Sequence, residues 1–245
     1  MKNYLVKSLF RVGDPNWHVV NRTHEQDMYE HYRTMHDVST DSFNRHLKGE
    51  WELVFVEGTV DHINQAFEKT FWAIHDLWHK EPCNILYADP DTLAIGDIDI
   101  WEQYSKFMMF NYTDPRSLTT KNRYGLNFPN FFNAGVRYFP ATMTESTWQS
   151  GVDIARDWDY NTYDTEQIIL NQMLWTQGIA LEQALHPELN WLAMSLRNLD
   201  PKIVGLHEAW NQCYLGQAKI MHFASSRGAA ATNQFMQTIA KQLKG

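Results

Sequence analysis

The pattern of apolar and polar positions predicts alternating strands and helices over the first part of the chain. Short apolar runs predict strands over residues 4–10, 51–56 and 85–88, the second of them closed by Gly58. Residues 24–47 are rich in helix formers, with a break expected near Ser39-Thr40. Thr59 or Asp61 is expected to cap the next helix. Its apolar residues recur at spacings of three and four: Ile63, Phe67, Phe71, Ile74 and Trp78.

The rest of the chain gives weaker patterns. Helices are expected over 98–104, 144–157 and 164–177, and from residue 229 onward. In 164–177 an inward-facing apolar set is predicted: Ile168, Ile169, Met173 and Leu174. In the tail Phe235, Ile239 and Leu243 would share one helical face, packed on the domain. Strands are predicted over 106–111, 134–139, 189–196 and 218–223. The longest polar, turn-rich segment covers 112–130, and loops of that length are usually functional.

This order of elements favours the α/β class: a Rossmann-like, mostly parallel central sheet flanked by helices and joined by right-handed crossovers. We expect a single domain over residues 1–245, because no repeat or boundary interrupts the pattern. Hydrophobic residues make up 44% and charged residues 20%, as in ordinary soluble globular proteins.

Charge and cysteine content narrow the function classes. A net charge of −8 disfavours nucleic acid as a partner, because binding it needs a basic stripe. Two cysteines cannot form a disulfide framework, so we expect a reducing, cytoplasmic location. The N-terminal apolar run is too short and too interrupted for a signal peptide. No stretch approaches 18 consecutive apolar residues, so no transmembrane segment is expected.

Two aspartates, Asp89 and Asp91, directly follow the predicted strand 85–88. They would lie at the carboxyl end of a parallel strand, where open α/β sheets bind ligands. Residues i and i+2 of an extended chain point the same way, so both carboxylates can face one hard divalent cation. The alternative is a turn with a helix cap. Asp97 and Asp99 are expected to cap and start the following helix instead of binding metal.

Four sequence blocks carry a family resemblance. The segment ILYADPDTLAIGDIDIW resembles the DxD segment of GT-A-type glycosyltransferases, and FNAGV at 132–136 is similar to a block of their glycogenin-like and galactosyltransferase-like families. Residues 166–171, EQIILN, resemble their DQ-x-x-LN helix, with Glu where the family usually has Asp. His222-Phe223 resembles their late metal-binding motif. The blocks occur in the family's order from residue 85 to 228; the first 80 residues match only in their strand–helix pattern.

The resemblance implies that Asp89, Asp91 and His222 bind a metal ion that bridges the diphosphate of a nucleotide-sugar donor. An imidazole among oxygen ligands favours Mn²⁺ over Mg²⁺. The alternative for His222 is a structural histidine. Asn133 would contact the donor sugar, or else serve as a turn residue before Gly135.

By the same resemblance Gln167 and Glu166 would contact sugar hydroxyls near the anomeric carbon. Glu166 would equally suit the start of a helix for its charge alone. Asp164 is either an extra contact or an N-cap. Phe10 and Arg11, at the end of the first strand, are candidates for base or ribose contacts by position.

One block departs from the family. The family has Lys six positions after the His, whereas here Arg227 lies five after His222 and the following Pro-Trp is missing. Arg227 could still bind a phosphate bidentately, or lie solvated on the surface. Lys121 or Arg123 of segment 112–130 would be the substitutes for this diphosphate contact.

The resemblance implies metal-dependent transfer of a hexose from a nucleoside-diphosphate sugar to a carbohydrate or other hydroxyl acceptor. The similar families favour a UDP-sugar as the donor. Retention of anomeric configuration is preferred, because the similar families retain it and no single general base stands out. A haloacid-dehalogenase-like Mg²⁺-dependent phosphatase is the alternative enzyme, although Leu93 stands where its motif has Thr. A non-catalytic sugar-nucleotide-binding protein is the other. An EF-hand loop is excluded, since Leu93 and Ile100 occupy its acidic positions.

Overall fold

A computed structural model describes residues 1–13, 28–111, 124–126, 128, 130–160, 165–193, 215–223 and 229–244. The amino-terminal elements follow the predicted order, and they are β1 (Lys2–Val12), α1 (Met28–His46), β2 (Glu52–Val60), α2 (Ile63–Lys80) and β3 (Cys83–Ala88). Short strands come next: β4 (Thr92–Ala94), β5 (Met108–Met109) and β6 (Val136–Phe139). The remaining elements are α3 (Glu145–Ala155), α4 (Thr165–Thr176), α5 (Leu181–Ala184), β7 (Trp191–Leu192), β8 (Ile220–His222) and α6 (Ala229–Lys244).

The main sheet has five strands in the order β2-β1-β3-β6-β5. The first three strands are parallel, and β6 is antiparallel to both of its neighbours, so β5 runs in the same direction as the first three. All six residues of β3 are buried, as expected of a central strand that is covered on both faces. The predicted α/β class with a mostly parallel sheet is therefore confirmed.

A second, smaller sheet with the order β4-β8-β7 was not predicted. β4 is antiparallel to β8, and Thr92 is opposite His222. Strand β7 pairs with β8 in parallel. Apolar side chains of this sheet, including Leu93 and Met221, pack with Met35 of α1 and Met236 of α6 in a cluster of their own. The small sheet thereby places the late part of the chain beside the end of β3.

Helix α1 runs without the expected break at Ser39. Ser39 and Ser42 are fully buried, and both hydroxyls have partners on other elements. The Ser39 Oγ accepts a hydrogen bond from Lys7 Nζ (2.6 Å), and the Ser42 Oγ accepts one from Ala94 N (2.9 Å). Ser42 Oγ also donates to Ser39 O (2.6 Å) within the helix. Both hydroxyls are therefore satisfied while the helix continues.

Three further expectations at element ends are wrong. β2 continues past Gly58, because its parallel pairing with β1 extends to Val60. The N-cap of α2 is His62, whose Nδ1 accepts a hydrogen bond from Asn64 N (3.2 Å). Residues 98–104 do not form a helix, because backbone bonds tie Ile98 to residues 46 and 48; only residues 101–103 form a turn.

Helix α6 confirms the predicted amphipathic tail, which packs against α1. Its buried residues include Met236 and Ala240, while Leu243 is 51% exposed. The buried face is thus rotated by about one residue from the predicted one. The inward set of α4 is confirmed, since all four predicted side chains are buried.

Candidate active site

The turn after β3 holds Asp89 and Asp91 at the carboxyl end of the central strand. Asp89 N donates to Gly135 O (2.8 Å), which ties the turn to the neighbouring strand β6. Thr92 donates to Asp89 O through both its amide (3.2 Å) and its hydroxyl (2.6 Å). Backbone bonds on both sides therefore fix the direction of the two carboxylates.

The small sheet brings His222 to these carboxylates. Phe223 N donates to Asp91 O (2.8 Å), and the pairing of Thr92 with His222 extends the same ladder. The imidazole Nε2 lies 3.3 Å from Asp91 Oδ1 and 3.7 Å from Asp89 Oδ2.

The donor set fits a divalent cation. One ligand atom from each of Asp89, Asp91 and His222 lies within 4.8 Å of the other two. Neighbouring ligands on an octahedral ion with bonds of about 2.1 Å lie about 3 Å apart, so only small movements separate this arrangement from coordination. His222 and Asp91 are buried, whereas 33% of the Asp89 side chain is exposed, so the group is open on one side.

The electrostatics of the site favour a bound cation. Burial raises the pKa of Asp89, and the charge of Asp91 raises this pKa further, while His222 opposes the shift. Tyr87 donates its hydroxyl to Asp89 Oδ1 (2.8 Å), and burial raises the pKa of Tyr87 well above its ordinary value, so it stays a donor. A cation would remove the repulsion between the two carboxylates.

Lys7 of β1 lies underneath this turn and was not identified from the sequence. It is fully buried, and its Nζ donates to Ser39 Oγ (2.6 Å) and to the carbonyl oxygens of Ala88 and Asp89 (3.3 Å each). Burial lowers the pKa of Lys7 to about 7, although the two aspartates oppose the shift. A charged residue inside the apolar run of β1 was the available signal.

Asn133 lies two residues before Gly135, at the side of the site formed by β6. Its Oδ1 accepts from Gly135 N (2.9 Å) and from Asn190 Nδ2 (3.1 Å). Its Nδ2 end has no hydrogen-bond partner within the part of the chain that the structure describes. Asn133 is thus a turn residue before Gly135 whose Oδ1 is used within the protein. Asn190, which also bonds to His222, had no signal in the sequence.

Gly135 is needed for the close approach of His222. A Cβ at residue 135 would lie 2.1 Å from the imidazole Cε1 and 2.5 Å from Nδ1, far inside van der Waals contact. The FNAGV block therefore leaves the space that the histidine occupies.

Helix α4 begins with Glu166 and Gln167 beside the same turn. The Gln167 Oε1 accepts from Ala134 N (3.2 Å), which points the amide NH₂ end away from that backbone. Glu166 is buried, and Arg137 donates to its Oε1 (2.7 Å). Burial raises the pKa of Glu166, and Arg137 opposes the shift. Arg137 also stacks on the Tyr87 ring (3.9 Å), so Glu166 belongs to a buried ion pair next to the aspartates.

The remaining expected residues are not joined to this group. Arg11 lies over the Tyr29 ring (4.2 Å) and near Glu30 on α1, and Phe10 precedes it at the end of β1. Asp97 is bonded to Lys48 (3.0 Å) instead of capping a helix. The other candidates lie outside the described residues: Lys121, Arg123, Asp164, Arg227 and most of segment 112–130.

Comparison with solved structures shows the class of fold. The chain matches the bifunctional glycosyltransferase WbbM (TM-score 0.58, 14% identity), covering 91% of this chain and 46% of WbbM. It matches the galactosyltransferase LgtC in complex with donor and acceptor sugar analogues (TM-score 0.53, 12% identity), covering 96% of this chain and 95% of LgtC. A third match is a glycosyltransferase involved in glycosylation of the major capsid of PBCV-1 (TM-score 0.52, 11% identity), covering 97% of this chain and all of that one.

The protein therefore has the GT-A fold, which confirms the resemblance at the level of fold. No family model matches the chain, and no curated protein matches its sequence. Among the described helices, none has the length and apolar character needed to cross a bilayer.

Proposed function

We propose that the protein is a metal-dependent glycosyltransferase that moves a hexose from a nucleoside-diphosphate sugar, by preference a UDP-sugar, to a carbohydrate or other hydroxyl acceptor. The observation that carries the proposal is the group formed by Asp89, Asp91 and His222 at the carboxyl end of the central strand of a GT-A fold. LgtC, which shares the fold, is seen with donor and acceptor sugar analogues, which supports the same pair of ligands here.

Asp89, Asp91 and His222 would hold the ion, for which Mn²⁺ is preferred over Mg²⁺ because one ligand is an imidazole. When bound, the ion neutralises the charge that builds on the departing nucleoside diphosphate. The protein would fix the position of the ion, since Tyr87 donates to the Asp89 carboxylate and backbone bonds of Asp89 with Gly135 and Thr92 hold the turn.

The donor sugar would lie between Asn133 and the start of α4. The Asn133 Nδ2 amide can donate to a sugar hydroxyl, and Gln167 has its amide NH₂ end oriented away from the Ala134 backbone. Glu166 would contact a sugar hydroxyl near the anomeric carbon, and Arg137 would balance its charge. Retention of configuration is proposed as in the similar families.

The rest of the donor would extend from the metal site in two directions. Phe10 and Arg11 are proposed to contact the base or ribose, since they lie near the carboxyl end of β1, beyond the part of that strand that pairs with β3. Arg227, with Lys121 or Arg123 as substitutes, is proposed to contact the diphosphate. A cytoplasmic location remains a prediction.

The test is donor turnover in the presence of Mn²⁺. Asp91→Ala should abolish release of nucleoside diphosphate from a sugar nucleotide while the fold remains intact, because one of the three ligands is lost. Full activity of this variant with Mn²⁺ would refute the metal assignment.

A thermal-shift screen of sugar nucleotides would identify the donor, since a ligand that binds only the folded state raises the melting temperature. The same assays separate the alternatives. A phosphatase would release inorganic phosphate from simple monoesters, and a non-catalytic binding protein would be stabilised by a sugar nucleotide without consuming it.

A further inference from the structure

We propose that Asn190 is a positioning residue that sets which imidazole nitrogen of His222 faces the two carboxylates. It takes its own orientation from the backbone of Gly135 through Asn133. The inference deepens the proposed function and rests on it for the role of His222 as a metal ligand. The orientation itself follows from hydrogen-bond donors and acceptors alone.

The first group in this series of hydrogen bonds, the Gly135 backbone N–H, can only donate. The backbone N–H of Gly135 donates to one end of the Asn133 side chain, at 2.9 Å. That end must be the oxygen, Oδ1, because the NH₂ end of an amide has no acceptor. The orientation of the Asn133 amide is thereby fixed by the main chain.

Asn190, the hydrogen-bond partner of Asn133, is fully buried. One end of the Asn190 amide lies 3.1 Å from Asn133 Oδ1. Since an oxygen there accepts, the Asn190 group that faces it must be the donor, Nδ2. The other end of the same amide, Oδ1, then faces His222 Nδ1 at 3.1 Å.

The third step fixes the imidazole. Oxygens face both ring nitrogens, Asn190 Oδ1 at Nδ1 (3.1 Å) and Asp91 Oδ1 at Nε2 (3.3 Å). The hydrogen held by Asn190 is the one assigned to the neutral ring, which leaves Nε2 as the unprotonated nitrogen beside the carboxylates. Nε2 is the nitrogen that lies 3.3 Å from Asp91 Oδ1 and 3.7 Å from Asp89 Oδ2. A metal-binding histidine needs this arrangement, in which the other ring nitrogen donates to an acceptor outside the coordination shell.

The backbone holds Asn190 in this position through a third asparagine. Asn111 Nδ2 donates to Asn190 O (2.9 Å), and Asn133 N donates to Asn111 O (2.8 Å). Asn111, Asn133 and Asn190 therefore close a ring of hydrogen bonds. Turning the Asn190 amide over would place its oxygen against Asn133 Oδ1, so two buried acceptors would face each other with no hydrogen between them. It would also place an NH₂ group opposite His222 Nδ1 and favour the other tautomer.

The direct test reads the tautomer in the metal-free protein. Long-range ¹H–¹⁵N spectra of ¹⁵N-labelled protein, recorded at a pH where the imidazole is neutral, distinguish a hydrogen on Nδ1 from one on Nε2. The His222 signals are assigned by their loss in His222→Gln. The expected result is the Nδ1–H form; an Nε2–H form in the wild-type protein would overturn the inference.

Variants of Asn190 test its role. Asn190→Leu should give a mixture of tautomers and raise the dissociation constant for Mn²⁺ by about 10–100-fold, the usual loss when a partner of a metal ligand is removed. Asn190→Asp keeps an oxygen opposite Nδ1, so it should retain the Nδ1–H form and bind Mn²⁺ more tightly than Asn190→Leu, although its second oxygen opposes Asn133 Oδ1 and lowers stability. Unchanged tautomer and Mn²⁺ affinity in the leucine variant would refute the role.

Asn84→Leu is the matched control. Asn84 is a buried asparagine of β3 near the opposite end of that strand, and its side chain bonds to Trp101 O (3.1 Å) and Ala141 N (2.9 Å). This variant should lose stability while leaving the tautomer and the Mn²⁺ affinity unchanged. If Asn190→Leu does not fold, the wild-type spectrum and the aspartate variant still decide the question.

The proposed function can be refuted without refuting this inference. Neither the tautomer nor the Mn²⁺ affinity depends on turnover, so a protein that consumes no sugar nucleotide yet shows the Nδ1–H form leaves this inference standing.

Discussion

Replacing Gly135 by alanine should remove the metal site while leaving most of the fold in place. The added Cβ would lie 2.1 Å from His222 Cε1, and ordinary carbon–carbon contacts begin near 3.5 Å, so the two must separate by about 1.4 Å. Metal–ligand distances tolerate only about 0.2 Å, so the histidine can no longer coordinate the ion shared with the aspartates. We expect the dissociation constant for Mn²⁺ to rise by at least about 10–100-fold, or about 1.4–2.7 kcal/mol.

The assay is titration calorimetry with Mn²⁺, together with denaturant unfolding. Overpacking costs about 1–3 kcal/mol, so stability alone does not separate a local effect from a general one. Gly151→Ala is the control: its Cβ would lie 2.6 Å from Met173 Sδ, between α3 and α4, so it is overpacked without touching the metal ligands. It should lose stability and keep its Mn²⁺ affinity.

A double variant sharpens the test. His222→Ala in the Gly135→Ala background removes the group that the new methyl would strike, so part of the lost stability should return while Mn²⁺ binding does not. If Gly135→Ala alone bound Mn²⁺ like the wild-type protein, the close approach of residue 135 to the imidazole would not matter for the site.

Three further predictions concern charges around the site. Proton and cation compete for Asp89, whose pKa is raised by burial, so Mn²⁺ affinity should weaken from about pH 8 to about pH 6 in calorimetry; a flat profile would contradict this. The pKa of Lys7 is lowered from 10.5 to about 7, so between these two values the unfolded chain binds a proton that the folded protein lacks, and this group should make the free energy of metal-free unfolding rise with pH. Lys7→Met should flatten the rise, and equal slopes would show that the ammonium stays charged. Arg137→Met should destabilise the protein by about 3–5 kcal/mol by leaving Glu166 unpaired, with partial recovery on adding Glu166→Gln; no loss in denaturant unfolding would rule out a structural ion pair.

Local patterns were sufficient for the elements that pack on one continuous core. β3 was predicted because its apolar run is short and ends in carboxylates, and α2 because its apolar side chains lie on one face. The same kind of local reasoning was wrong for residues 98–104, where burial of Ile98 and Ile100 and backbone bonds to the end of α1 decide the conformation.

The candidate site also contains residues that local sequence could predict and residues that only the folded structure brings together. The two aspartates follow from their position after a strand, whereas His222 could be named only through the family resemblance, because nothing local relates it to residue 89. Asn190 bonds to residues 32 and 57 positions away, so its role depends on folded geometry. Lys7 was not identified from the sequence, although it is a charge in an apolar strand, and only the structure shows that its amine lies under the turn.

The short pairing of β4 with β8 has a consequence for how the protein matures. Two of the three metal ligands emerge early in synthesis, and the third comes only after Ile220 and Met221 have been added next to β4. A nascent or truncated chain that stops before β8 would display the acidic pair without its imidazole partner. Under the proposed function, tight Mn²⁺ binding would therefore require synthesis through β8, and the bound ion would stabilise the contact between the turn after β3 and β8.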